Sequence, residues 1–152
     1  MIHRTLFLLI MMAALMATAL PQSQDHSGRK GSTAPAKRVE AVFSDVLKQP
    51  LTDPELKDYE LRASVMHLPP GFLETVKHRH DAELFGYVLE GAVEVQLDKP
   101  TPGVYQQGQM FYEPFNILHA SLKNQSGSRS ARILLIFVIK KGRSDYIAEP
   151  VK

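Results

Sequence analysis

From Tyr59 to Ile139 the chain meets a turn signal about every eight to twelve residues, a spacing that only short strands fit. Pro69-Pro70-Gly71, Gly91, Lys99-Pro100-Thr101-Pro102-Gly103 and Gln125–Arg129 are the clearest of these signals. Between them Tyr59, Leu61, Ala63 and Val65 alternate with Glu60, Arg62 and Ser64, the period of a half-buried strand. Further strands are expected at Thr75–His80, Leu84–Glu90, Ala92–Leu97, Val104–Gln107, Gln109–Tyr112 and Ile117–Leu122. Arg132–Ile139 is a near-continuous apolar run, expected as a strand buried on both faces and too short for a membrane span. Val39–Lys48, stopped by Pro50, mixes helical and strand spacing and is read as a strand. Leu51–Asp58, with Pro54, is read as a connection. The chain is therefore expected to be all-β, a single antiparallel sandwich or barrel.

The N-terminal quarter has a different character. Residues 1–19 carry Arg4, an uncharged apolar stretch from Leu6 to Ala17 and an Ala17-Thr18-Ala19 cleavage pattern, the signature of a secretory signal peptide. The apolar stretch falls short of the ~20 residues a spanning helix needs, so no stable membrane insertion is expected after cleavage. The protein is then exported, to the periplasm or beyond the cell. Residues 20–38 are rich in Ser, Gly, Pro and basic side chains, with little to bury, and read as a disordered linker; His26 there is a solvated ring. The folded domain is expected over 39–142. The polar residues 143–152 are expected as a flexible C-terminal tail.

Composition excludes several chemistries. The chain of 152 residues has no cysteine, so disulfides, thiolate ligands and a Cys nucleophile are out, and any metal is held by N and O donors. Its 18 basic and 16 acidic residues give a net charge of +2 and no basic run interleaved with aromatics, so nucleic acid is not an expected partner. No phosphate-binding glycine loop and no G-x-S-x-G elbow occurs.

The histidines are the chemical signal. His78 and His80, two residues apart on a strand, point to the same face. His119 follows a turn at Pro114. Neutral imidazole is the commonest metal ligand, and three such rings can hold one ion. A lone His-x-His pair on an exposed strand is more often two solvated rings; the third histidine is what separates the two readings. His67 fits no ligand position, and Arg79 should point away from the pair. Tyr87, Phe111 and Phe115 are expected in the core. Tyr112, Glu113 and Glu83 are the candidate catalytic groups, with strand and solvated-loop roles as their plain alternatives.

These residues resemble the two motifs of the cupin superfamily, in order and at a normal separation, over roughly Tyr59 to Ile139. His78, His80 and Gly91 match the first motif, with Gly71 at its start one residue early. Gly108, Pro114 and His119 match the second, with Asn124 one residue late. Asn116 replaces the motif glycine, which Asn can do because it tolerates the left-handed conformation. The motif's Glu ligand falls at Leu84. Glu83 lies one place early, and a one-residue slip turns a side chain to the opposite face. Either a bulge returns Glu83 to the site as a fourth ligand or the site has no carboxylate from this strand, and periodicity favours the second.

The resemblance implies a small cupin β-barrel, or jelly roll, with one divalent metal ion on His78, His80 and His119. Fe or Mn is the favoured ion, Zn or Ni the alternative. It implies an oxygenase-like enzyme acting on a small organic substrate; the other reading is a non-catalytic barrel that binds a small molecule around a structural metal or none. It also implies a homodimer, with Val39–Lys48 at the contact.

Overall fold

The computed structural model describes residues 39–150. The proposed signal peptide and linker lie outside the described residues. Among those described there is no α-helix, and no helix long and apolar enough to cross a membrane. There are eleven strands, three of them only two residues long. The long ones are β1 (Val42–Pro50), β2 (Tyr59–Leu68), β5 (Ala82–Glu90), β6 (Ala92–Leu97), β9 (Leu118–Asn124) and β10 (Ala131–Lys140). The short ones are β3 (Leu73–Glu74), β4 (His78–Arg79), β7 (Gly103–Gln106), β8 (Met110–Glu113) and β11 (Ile147–Ala148).

Two antiparallel sheets result. One runs β1-β2-β10-β5-β8. The other runs β11-β4-β9-β6-β7, with β3 also on β9. The all-β antiparallel expectation is met. Leu68, Val88, Val93, Ile133 and Ile139 are fully buried and form one core with their neighbours.

The turn residues act as their chemistry requires. Gly71, Gly91 and Gly108 have positive φ. At Gly91 a Cβ would meet that of Ala131 at 3.0 Å, so both the turn and the packing call for glycine. Asn116, with φ 57°, is the one non-glycine residue in this region among those described, and it stands where the motif has glycine. The buried Asn124 amide donates to the carbonyls of Leu68, Pro69 and Arg129 and its oxygen accepts from Ser126 N–H, tying two connections at one end of the barrel. Connection 51–58 holds a 3-10 turn at Pro54–Leu56, capped by the Asp53 carboxylate.

Four expectations need correction. The strand expected over 75–80 is only His78–Arg79; the Val76 carbonyl is turned to the His78 ring, and the Lys77 carbonyl accepts from Glu149 N–H in line with the β4–β11 pairing. The inward face of β2 is the even-numbered one: Met66 pairs with Ile133 and Ser64 with Leu135, while Leu61 and Val65 look outward. For the same reason β10 is buried on one side only. Ile133, Leu135, Phe137 and Ile139 face the core, and Leu134, Ile136 and Val138 are half-buried on the outer face. Finally, residues 143–150 are not a free tail. β11 pairs with β4, Arg143 bridges to Asp81 and Glu149 to Arg79.

Candidate metal centre

β4 and β9 lie side by side with His78 directly opposite His119, so both rings project from the same face. His80, two residues on, shares that face, while Arg79 points away and pairs with Glu149. The turn that carries His119 is braced against this strand. Asn116 N–H donates to the His80 carbonyl at 3.0 Å, and the Arg79 guanidinium donates to the Asn116 carbonyl at 2.7 Å. The ring centroids of His78 are 4.6 Å from His119 and 4.9 Å from His80. All three rings are buried, and one donor nitrogen from each lies within 4.8 Å of the others.

Each ring is held by its Nδ1. His78 Nδ1 lies 2.9 Å from the Val76 carbonyl, and His80 Nδ1 bonds the Asp145 carbonyl. A carbonyl can only accept, so both Nδ1 atoms carry the proton. His119 Nδ1 lies 3.0 Å from both carboxylate oxygens of Glu113. Three Nε2 atoms are thereby left with lone pairs. That of His119 is buried with no hydrogen-bond partner. An orphaned buried acceptor is costly unless something fills its place, and tethering of the non-ligating nitrogen is the usual support of a metal-binding histidine. The donor set therefore fits a divalent ion.

Glu113 is the buried carboxylate beside the rings, and it comes from an unexpected strand. β8 alternates, with Phe111 and Glu113 inward and Met110 and Tyr112 outward. Glu113 pairs directly with Leu84 across the β5–β8 ladder. Leu84 is the position where the resembling motif has its Glu, so the acid stands one strand over, on the same face. Glu113 is only 2% exposed, and its Oε2 is 3.6 Å from His80 Nε2.

Glu83 is not brought to the centre. No bulge interrupts β5 at this point, and its carboxylate accepts from the Tyr112 hydroxyl and the Phe115 N–H on the outer face. That hydrogen bond raises the Tyr112 hydroxyl pKa, as burial and the charge of Glu83 also do. Tyr112 stacks on Phe85 there, away from the histidines. Phe115 is exposed at the turn and Tyr87 is half-buried on the outer face; of the three aromatics expected in the core, only Phe111 is there. His67 is half-buried on the outer face of β2, beside Arg132.

Apart from Glu113, sequence reasoning missed the groups that hold or cover the rings. The carbonyls of Val76 and Asp145 carry no residue-type signal. Tyr146 stacks on His78 with centroids 4.4 Å apart, but nothing in a polar C-terminal stretch marks it. Glu74 lies 3.9 Å from His78 Nδ1. Burial raises its carboxyl pKa above the usual carboxylate value. Burial likewise lowers His78 to about 4, against the pull of the Val76 carbonyl and Glu113, so this ring is neutral at physiological pH.

The cluster opens into a cavity of about 720 Å³ between the sheets. Its apolar lining includes Phe72, Phe111, Phe137 and Leu135, and its rim includes Phe43 and Asp45 of β1. Gly86 lets Phe111 lie flat in the wall: a Cβ there would come within 2.0 Å of the ring. A volume of this order suits a small organic molecule.

An antiparallel jelly roll with three tethered imidazoles at the mouth of an apolar cavity is the arrangement that the resemblance of the two motifs implies. Comparison with known proteins supports it. Residues 64–137 match the family model described as the cupin domain. Together with the structural neighbours, this match supports the cupin superfamily. An uncharacterised conserved protein with a double-stranded β-helix domain from Klebsiella pneumoniae superposes with TM-score 0.55 at 15% identity, over 74% of this chain and 86% of that one. The cupin domain of Cnp3 from Schizosaccharomyces pombe gives 0.52 at 19% identity, over 70% of this chain and 66% of that one. KdgF from Halomonas sp. gives 0.52 at 20% identity, over 67% and 81%. At these identities the likeness establishes the fold alone. No curated protein matches.

Proposed function

We propose that this chain holds one divalent metal ion on His78, His80 and His119 and acts on a small organic molecule in the adjoining cavity, as an oxygenase-like enzyme. The observation that carries the reading is the common tethering of the three rings, with His119 Nε2 buried and unpartnered. Such an ion supplies Lewis-acid polarisation and, as Fe or Mn, oxygen chemistry. The chain's own residues do the rest. Glu113 fixes the His119 tautomer and, in place of a carboxylate at position 84, brings negative charge beside His80. Tyr146 covers one flank of His78. Phe72, Phe111 and Phe137 exclude water from the cavity floor. Three protein ligands facing an open cavity leave room for exchangeable positions, which favours reactivity over a closed structural site.

Export to the periplasm or medium is part of this reading and rests on the sequence of residues 1–19. The test of function is oxygen uptake by chain reconstituted with Fe(II) or Mn(II), across a panel of small aromatic and enolic compounds. Substrate-dependent uptake that disappears in His119→Leu supports it. Ligand binding with no turnover under any metal would leave a binding barrel in its place.

A further inference from the structure

The cavity's charge is one-sided. Glu40, Asp45, Glu74, Glu113 and Asp145 all line it. No lysine or arginine lines it among the described residues. The guanidiniums nearest this end are engaged with carboxylates: Arg62 with Glu60 and Asp145, Arg79 with Glu149, Arg143 with Asp81. An anionic substrate would ordinarily be met by such a group, commonly an Arg fork.

Resting on the metal reading above, we propose that the site takes a neutral or cationic, largely apolar small molecule and discriminates against carboxylates and other anions. The acids alone would define nothing. The second observation is the buried, unpartnered His119 Nε2 at the same place, which marks where a ligand-bearing centre belongs. The two formal positive charges of a divalent ion are already matched there by Glu74, 3.9 Å from His78, and Glu113, 3.0 Å from His119. An incoming anion would find no surplus positive charge at the centre. Farther out it would pass Glu40 and Asp45 at the rim, where low-dielectric walls sharpen the field. The phenylalanines of the floor suit the face of an aromatic or aliphatic ring, and a cation would gain from both floor and rim.

The experiment uses three probes of one shape: 4-phenylimidazole, its para-aminomethyl derivative and its para-carboxylate. Each carries the same azole donor, so differences report charge. Calorimetric titrations are run on metal-loaded full chain and on chelator-treated chain, with metal content measured on both. The expected result is that the neutral and cationic probes bind about tenfold or more tighter than the carboxylate, each tenfold being about 1.4 kcal/mol. Glu74→Gln should narrow that gap; so should Asp45→Asn, on the exposed rim, should the first variant fold poorly. A carboxylate that binds the metal-loaded chain as tightly as the neutral probe overturns the proposal and leaves the metal reading standing. So does a gap unmoved by both variants. A chain that takes up no metal when loaded, yet gives the same charge order, keeps this proposal and overturns the metal reading. No binding of any probe to either form overturns the proposal.

Discussion

Every imidazole of the cluster is held through its Nδ1, and the holders are of two kinds. Val76 and Asp145 give main-chain carbonyls, which are fixed by the fold. Glu113 gives a side chain, and that makes it the holder a mutation can remove. Glu113→Leu, close in volume to Glu, should weaken metal affinity about 10–100-fold, the usual cost of losing such a support. Glu83→Gln should leave affinity unchanged, because Glu83 faces Tyr112 and Phe115 on the outer side. Competition titration with a chromophoric chelator reads both; equal losses would contradict the assignment.

His78 adds a pH dependence. Its folded pKa of about 4 lies below the unfolded value of about 6.5. Between those values the unfolded chain binds the extra proton and the folded chain does not, so stability rises with pH. For metal-free protein the urea midpoint should fall as pH drops from about 6.5 to about 4, and this component should be absent in His78→Gln. An identical pH slope in both proteins would contradict it.

At the scale of elements, the strap from Arg143 to Glu149 carries more of the site than its composition suggests. It offers the Asp145 carbonyl to His80, lays Tyr146 on His78 and closes with β11 on β4. Truncation after Gly142 should lower metal affinity at least as much as Glu113→Leu. It should leave far-ultraviolet circular dichroism near that of the whole chain, since the core lies in β2, β5, β6, β9 and β10. Unchanged affinity would show that the strap merely covers the centre.

The strap also shows where sequence reading stops. The three histidines, the turn glycines and the left-handed Asn116 were legible because each obeys a local rule: strand periodicity, positive φ, motif spacing. Glu113 stood out as a candidate catalytic group but not in its cross-strand place opposite Leu84, since register is a property of two strands together. The facing of β2 was misread for a related reason. Both its odd and even sets contain apolar residues, and pairing with Ile133 and Leu135 decides which looks inward. Main-chain carbonyls that hold a ring leave no trace in residue type.

At the scale of the whole molecule, the five-stranded sheet is apolar on both faces. Leu61, Val65, Leu134, Ile136 and Val138 lie half-buried on the outside, and the patch continues onto the edge strand β1, where Val42, Val46 and Leu47 are exposed. A long, apolar edge strand is a ready template for pairing with another chain. We propose that a second copy covers this face, as a homodimer through β1. Light scattering should give twice the chain mass for the wild type and the monomer mass for Val42→Lys/Leu47→Glu, with both proteins folded. A wild-type monomer at high micromolar concentration would contradict the dimer without touching the metal centre.

The most direct test of the centre itself is metal content. The full chain and a His78→Ala/His119→Ala variant are purified side by side and their metals measured by elemental analysis. About one equivalent of a divalent metal in the wild type, and none in the variant, is the result expected of three converging imidazoles. A wild-type chain that takes up no metal, even when offered Fe, Mn, Ni and Zn in turn, would contradict it.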